Sequence, residues 1–91
     1  YNAPDHAIYL YVHARCSQEL GLFDRALRFH KLAYAKFSKH PEANLFKMEK
    51  VQAQIIICLE KLDQSKELKE AVLLMESLST QKQSRSFNSL V

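Results

Sequence analysis

Two cysteines and four histidines are the first candidates in this chain for nucleophiles, general bases or metal ligands. Cys16 and Cys58 lie within apolar helical stretches, and we expect both to be small, reduced core residues. No base stands at a fixed local spacing from Cys16, although a Cys–His pair formed by the fold stays open. No CxxC or HxxxH spacing is present, so we predict no metal site and no cofactor. We expect surface or partly packed positions for His6, His13, His30 and His40.

Two other kinds of chemistry are disfavoured by the residue types present. The chain has a single glycine, Gly21, whereas backbone cradling of a phosphate needs a glycine-rich loop. The paired carboxylates Glu67 and Glu70 lie on a lysine-rich helical face, where salt pairing at i, i+4 explains them. We therefore predict that the protein is not an enzyme.

Positive charge is concentrated in one part of the chain. Residues 22–40 carry five basic side chains against one acid, whereas the whole chain has a net charge of +3. This pattern predicts either a solvated helix face or a contact with an acidic protein or an anionic membrane, which vesicle binding at two salt concentrations tests. No exposed aromatic ladder accompanies the charges, so we do not expect nucleic-acid binding. The basic-face candidates are Arg25, Arg28, Lys36 and Lys39.

The elements that must position these side chains are helices. One glycine and two prolines are too few for an all-β fold, which needs a turn about every 8–12 residues. Residues 2–5 predict an N-terminal cap, Gly21 predicts the end of the first helix, and His40-Pro41 predicts the end of the second. We therefore predict an all-α fold, with helices at about 4–20, 23–39, 42–62 and 66–78.

The third helical stretch is too long to remain unbroken. Residues 42–78 contain neither glycine nor proline, so a straight helix there would be about 55 Å long and would overhang its neighbours. Asp63–Ser65 is the natural break, followed by a short fourth helix or a helical extension. We predict a helical bundle over residues 1–78 and a flexible, serine-rich tail over 79–91. Because no apolar run could span a bilayer, we expect a soluble protein, and its two reduced cysteines favour the cytoplasm. The Tyr1 start suggests a piece of a longer chain.

The first two predicted helices resemble the helical hairpin of a tetratricopeptide repeat, in which small residues let two helices approach closely. The residues that carry the resemblance are Ala14, Gly21, Leu22, Phe23, Asp24, Ala26, Leu27 and Ala33. In an array this pattern recurs after about 34 residues. That register aligns Gly21 with Ile55 and Ala26 with Glu60, so the pattern does not recur. A single hairpin must then pack on the third helix.

One hairpin closed by a long third helix resembles the MIT (microtubule-interacting and trafficking) domain over about residues 7–65. The run KVQAQIIICLEKLDQSKELK is similar to the MIT third helix, and RALRFHKLAYAKFS resembles the MIT domain of an autophagic class III phosphatidylinositol 3-kinase complex. The resemblance implies an antiparallel three-helix bundle that serves as a non-enzymatic adaptor in endosomal or autophagic membrane traffic. In the hairpin the agreement lies at Ala7-Ile8, Leu10, Ala14, Phe23, Ala26-Leu27, His30 and Phe37.

The third helix has a second apolar stripe, so its apolar surface is wider than two neighbouring helices could cover. This width predicts a groove beside it for an amphipathic partner helix or for another subunit of a larger complex. The alternative is that residues 66–78 fold back and cover the same surface. The partner-groove candidates are Leu45, Gln52, Ile56 and Leu59.

The expected partner differs from the usual one of the resembling family. Many MIT domains that bind ESCRT-III tails present an acidic third helix, whereas residues 55–57 and Gln52 are neutral here and the second helix is basic. An acidic or apolar partner helix, or permanent packing inside a larger complex, is therefore favoured. The alternative function is a structural segment of a tetratricopeptide-type helical-repeat scaffold.

Overall fold

The protein is all-helical, as predicted, in a computed structural model that describes the backbone of residues 6–90 and the side chains of residues 6–81. No strand occurs within those residues. The N-terminal cap predicted at residues 2–5 lies outside them. The four helices are α1 (His6–Glu19), α2 (Phe23–Phe37), α3 (Pro41–Lys61) and α4 (Ser65–Leu90).

The turn between α1 and α2 has the same hydrogen bonds as the turn between α3 and α4. In the first, Leu22 N–H donates to Ser17 O at 2.9 Å and Gly21 lies at φ +78°. In the second, Gln64 N–H donates to Leu59 O at 3.1 Å and Asp63 lies at φ +57°. Both are Schellman C-caps, in which a left-handed residue reverses the chain. The left-handed turn residue of the second hairpin is therefore Asp63, 42 residues after Gly21, and not the Ile55 of the 34-residue register.

The connection between α2 and α3 is built around Pro41. Proline has no N–H to leave unbonded and occupies the first helical position of α3. Asn44 departs from helical backbone angles at φ −120° and ψ 16°, and its side-chain Nδ2 donates to Phe37 O at 3.0 Å. This bond ties the first turn of α3 to the end of α2.

The fourth helix differs from the short helix or extension that the sequence predicted. It has 26 residues and is the longest of the four described helices. It passes the predicted bundle boundary at residue 78 because residues 65–90 contain no glycine or proline that would break a helix. The flexible tail predicted for residues 79–91 stays a prediction, and the described backbone of residues 79–90 is helical.

Each helix packs on the next along the chain, so α2 lies against α1 and α3, and α3 lies against α4. Alanines on α1 and α2 allow close approach, since Ala14, Ala26 and Ala33 have no exposed surface. Residues from all four helices form one apolar core. Within residues 6–90 no helix is long and apolar enough to cross a membrane. The largest fully buried apolar side chains are Val51, Cys58, Leu59 and Leu78.

Candidate functional site

The two cysteines occupy different environments. Cys58 is fully buried in α3, as predicted, and burial raises the pKa of its thiol above the ordinary value. Cys16 is exposed on α1, which corrects the prediction of a core position, because the buried stripe of α1 runs through Ala14 and Ser17 instead. Among the described residues, no three histidine, cysteine or acidic side chains come together in a way that could hold a metal.

His30 is completely buried, contrary to the expected surface or partly packed position, because it faces α1 from the core stripe of α2. Its Nε2 lies 2.6 Å from Gln18 Oε1, and Gln18 Nε2 in turn donates to Gln54 Oε1 at 3.1 Å. Arg15 Nη1 donates to the same Gln54 oxygen at 2.8 Å. Four side chains thus join α1, α2 and α3 in one polar network.

The protonation of His30 follows from this network. Gln18 Oε1 can only accept a hydrogen bond, so Nε2 of His30 carries the proton. Nδ1 of His30 is buried and has no hydrogen-bond partner. Burial, followed by the positive charge of Arg15, lowers the pKa of His30 to about 4. His30 is therefore neutral near pH 7 and acts as a structural hydrogen-bond donor between α2 and α1.

Three of the four predicted partner-groove residues lie in the core. Leu45, Gln52 and Leu59 are buried, and Ile56 is half-buried against the core. The side chain of Gln52 donates from Nε2 to the backbone oxygen of Ala71 at 2.9 Å. The α4 helix therefore packs on this side of α3, which is the fold-back that the sequence left open as the alternative. The packing is incomplete, because Gln52 and Leu59 also line a cleft of about 590 Å³ between α2, α3 and α4.

A more apolar groove lies on the other side of α3, next to α1. Its volume is about 300 Å³. Ile8 and Val12, one turn apart on α1, are 44% and 52% exposed and form one wall. On the α3 side, Lys47 Nζ lies 5.8 Å from the centre of the Phe37 ring, within cation–π range. The lining residues are Ile8, Tyr11, Val12, Phe37, Lys47, Lys50 and Val51.

The sequence analysis assigned neither Ile8 nor Val12 to a binding surface and placed the groove candidates on the third helix alone. Ile8 and Val12 are four positions apart and both flank the buried residues of α1. An apolar i, i+4 pair beside an already complete core stripe is the signal that could have found them. The third-helix half of the groove gives no such signal, since Lys47 and Lys50 read as ordinary surface lysines.

The predicted basic face is exposed but extended. Arg25, Arg28 and Lys39 are exposed and Lys36 is half-buried. Arg25 and Arg28 line a shallow pocket of about 350 Å³ with Asp24 near the α1–α2 turn. Lys36 lies eleven positions after Arg25, which is about 16 Å along the helix at 1.5 Å per residue. The charges thus form two separate pairs, and their contact with an acidic protein or an anionic membrane stays a prediction.

The cleft where α4 meets α2 and α3 is more polar than the groove between α1 and α3. Its volume is about 590 Å³. Lys31 of α2 and Glu67 of α4 form an ion pair across it at 3.5 Å, with about half of each side chain exposed. Tyr34 also lines the cleft, and burial raises the pKa of its hydroxyl. Because such an exposed ion pair contributes only about 0–1 kcal/mol, the cleft is bridged by a weak contact.

Comparison of the chain with protein-family models, with curated proteins and with solved structures finds no match. The resemblances to the MIT domain and to the tetratricopeptide hairpin therefore rest on the sequence runs alone. The groove between α1 and α3 combines exposed apolar walls with positive charge. This combination makes it the candidate functional site.

Proposed function

We propose that the protein is a non-enzymatic adaptor module that binds an amphipathic partner helix in the groove between α1 and α3. The observation that carries the proposal is the exposure of Ile8 and Val12 on one wall, opposite Val51 and beneath two lysines. Covering apolar side chains that are exposed to water is favourable, by about 25 cal/mol per Å² of apolar surface removed from water, so these two residues would contribute binding free energy to a partner.

The groove favours one kind of partner. Ile8 and Val12 repeat at the spacing of one helical turn, which suits anchors spaced at i, i+3 or i+4 on a docked helix. Lys47 and Lys50 are one turn apart on the opposite wall, so carboxylates on the flank of that helix would meet both ammonium groups. The partner is therefore an amphipathic helix with an acidic flank.

The remaining helices give this groove its support. In this proposal α1, α2 and α3 act as an antiparallel three-helix unit, and α4 covers the opposite side of α3 through Gln52 and Ala71. On the basis of the MIT resemblance, we further propose that the module is a cytoplasmic part of a larger protein in endosomal or autophagic traffic. The partner groove moves from the predicted candidates around Gln52 to the α1 side of α3.

A peptide selection tests the proposal. From a display library of random 16-residue peptides, the protein should enrich helical sequences with apolar anchors at i, i+3 or i+4 and several acids. Val12→Asp should weaken binding of a selected peptide at least about tenfold, because a charge would be buried in the groove. Leu32→Asp is the matched control, since Leu32 is 47% exposed on α2 outside the groove.

The lysine flank has a separate prediction within the same experiment. Lys47→Glu combined with Lys50→Glu should reject the acidic peptides and leave the helix content of the protein unchanged. Enrichment of no peptide, or equal loss of binding in the Val12 and Leu32 variants, would show that this groove is not a docking site. Fluorescence anisotropy of the labelled peptide supplies the dissociation constants.

A second function, a segment of a helical-repeat scaffold, is favoured by the recurrence of the hairpin turn. The turns at Gly21 and Asp63 share one hydrogen-bond pattern, and every helix packs on the next, as repeats do. Thermal unfolding of the 91-residue chain distinguishes the two functions. A single cooperative transition supports the adaptor, whereas a broad and weak one supports an excised segment.

A further inference from the structure

The outward side of α4 carries an exposed stripe, which we call the α4 stripe. Its members recur at intervals of three or four residues and therefore share one face of the helix. That face is turned away from Ala71 and Leu78, which pack into the core. At its centre Val72 is 38% exposed and Leu73 is 65% exposed. The α4 stripe consists of Ser65, Lys69, Val72, Leu73, Glu76 and Thr80, all of them exposed.

Two copies of the α4 stripe that run in opposite directions match each other residue by residue. From the N-terminal end it runs small polar, basic, apolar, apolar, acidic, small polar. When a second α4 lies antiparallel, with a two-fold axis between Val72 and Leu73, Val72 meets the partner's Leu73. The same register sets Lys69 against the partner's Glu76, and the symmetry makes that ion pair twice.

The charged members of the stripe are free for this pairing. Within the part of the chain whose side chains are described, neither Lys69 nor Glu76 takes part in an ion pair. A partner with charge of one sign would be repelled by one end of the stripe. A second copy satisfies both ends at once, and this sets it apart from an unrelated acidic or basic surface.

We propose that two copies of the protein associate through the α4 stripe as an antiparallel, two-fold symmetric dimer. The contact covers about four turns of one helix and has only two apolar residues per chain at its centre. It belongs to the small interface class, below about 1,200 Å² in total, which is typical of transient association. The dimer is independent of the α1–α3 groove, so its failure would leave the proposed peptide binding untouched.

Charge exchange between two variants tests this register. In Lys69→Glu both charged positions of the stripe are acidic, and in Glu76→Lys both are basic, so each variant alone should dimerise at least about tenfold more weakly than the natural chain. An equal mixture of the two should associate again, since every acidic stripe then meets a basic one. Sedimentation velocity of the full chain over a range of concentrations measures all three samples.

Controls separate this register from general electrostatics. Lys39→Glu and Asp24→Lys make the same charge changes at exposed positions on or beside α2, and they should leave dimerisation unchanged. Leu73→Asp should abolish the dimer while peptide binding in the α1–α3 groove persists, and circular dichroism confirms that each variant is folded. A natural chain that stays monomeric at every concentration, or a mixture that associates no better than the separate variants, would overturn the proposal.

Discussion

His30 shows how one side chain couples the fold to pH. It is neutral in the folded protein, with one ring nitrogen bonded to Gln18 and the other buried without a partner. A proton on Nδ1 would place a charge beside Arg15 with no acceptor within reach. Folding therefore selects the neutral imidazole, and the unfolded chain binds the proton more tightly.

The sign of the resulting pH dependence follows directly. The folded-state pKa of about 4 lies below the ordinary 6.5, so the unfolded state binds more protons between these values. Stability is complete above pH 6.5 and falls as the pH decreases towards 4, by about 3 kcal/mol for this residue. Urea unfolding at a series of pH values should show this slope in the natural chain.

His30→Phe provides the comparison, because a phenyl ring fills much of the same space without titrating. The variant should lose about 1–2 kcal/mol at pH 7, since Gln18 is left without its donor, but its stability should depend much less on pH. His13→Phe is the matched control, because His13 is only partly buried against Phe29. Parallel pH profiles for the natural chain and His30→Phe would contradict this role of His30.

At the scale of the helices, the two Schellman turns differ only in the residue that bears the left-handed conformation. Gly21 adopts φ +78° without strain, and no atom lies within 4 Å of the position where a Cβ would stand. Asp63 adopts φ +57°, a region that costs an L-residue more than it costs achiral glycine, although aspartate tolerates it better than most residues do. A side chain placed at position 21 would therefore cost free energy through its backbone conformation and not through steric crowding.

Substitution at both turns measures this cost. Gly21→Ala should destabilise the protein by about 1 kcal/mol, and Gly21→Asn by less, because asparagine tolerates the left-handed region. Asp63→Gly should be neutral or stabilise by up to about 1 kcal/mol, since it relieves the strain but loosens the unfolded chain. Denaturant unfolding gives the three values, and equal destabilisation by Ala and Asn at position 21 would argue against a conformational origin.

The helix ends could be predicted because their signals are local. Gly21, the His40-Pro41 pair and the break at residues 63–65 act through backbone geometry within a few residues. The end of α4 could not be predicted in this way, because serine-rich composition weakens a helix without breaking it. The described backbone of residues 79–90 is helical, and the flexibility that composition predicts for this segment stays a prediction.

The location of the candidate site depended on packing that no local pattern reveals. Gln52 lies on an apolar stripe, and a polar side chain there suits a partner surface as well as an internal hydrogen bond. Only the arrival of Ala71 on α4 decides between them. Likewise, Ile8 and Val12 line an open groove only because of where α3 lies, and no local pattern in α1 fixes that position.

At the scale of the whole molecule, α4 completes the core on one side of α3. Ala71 and Leu78 are buried there, at 8% and 2% exposure, and Gln52 is covered. A chain that ends at residue 64 should therefore lose about 2–4 kcal/mol of unfolding free energy, chiefly from the burial of Leu78. A chain that ends at residue 81 retains these contacts and is the control. Urea unfolding compares the two, and equal stabilities would show that α4 adds nothing to the core.

Because one cysteine is exposed and the other is buried, thiol labelling can measure how often α3 separates from its neighbours. Cys16 is accessible on α1 and should react with a thiol reagent at once, whereas Cys58 is sealed in α3 and reacts only when that helix separates from its neighbours. In a Cys16→Ser chain, the labelling rate of Cys58 divided by that of an unfolded peptide gives the opening equilibrium constant. A ligand bound in the groove between α1 and α3 should lower the labelling rate of Cys58, and more so the tighter it binds.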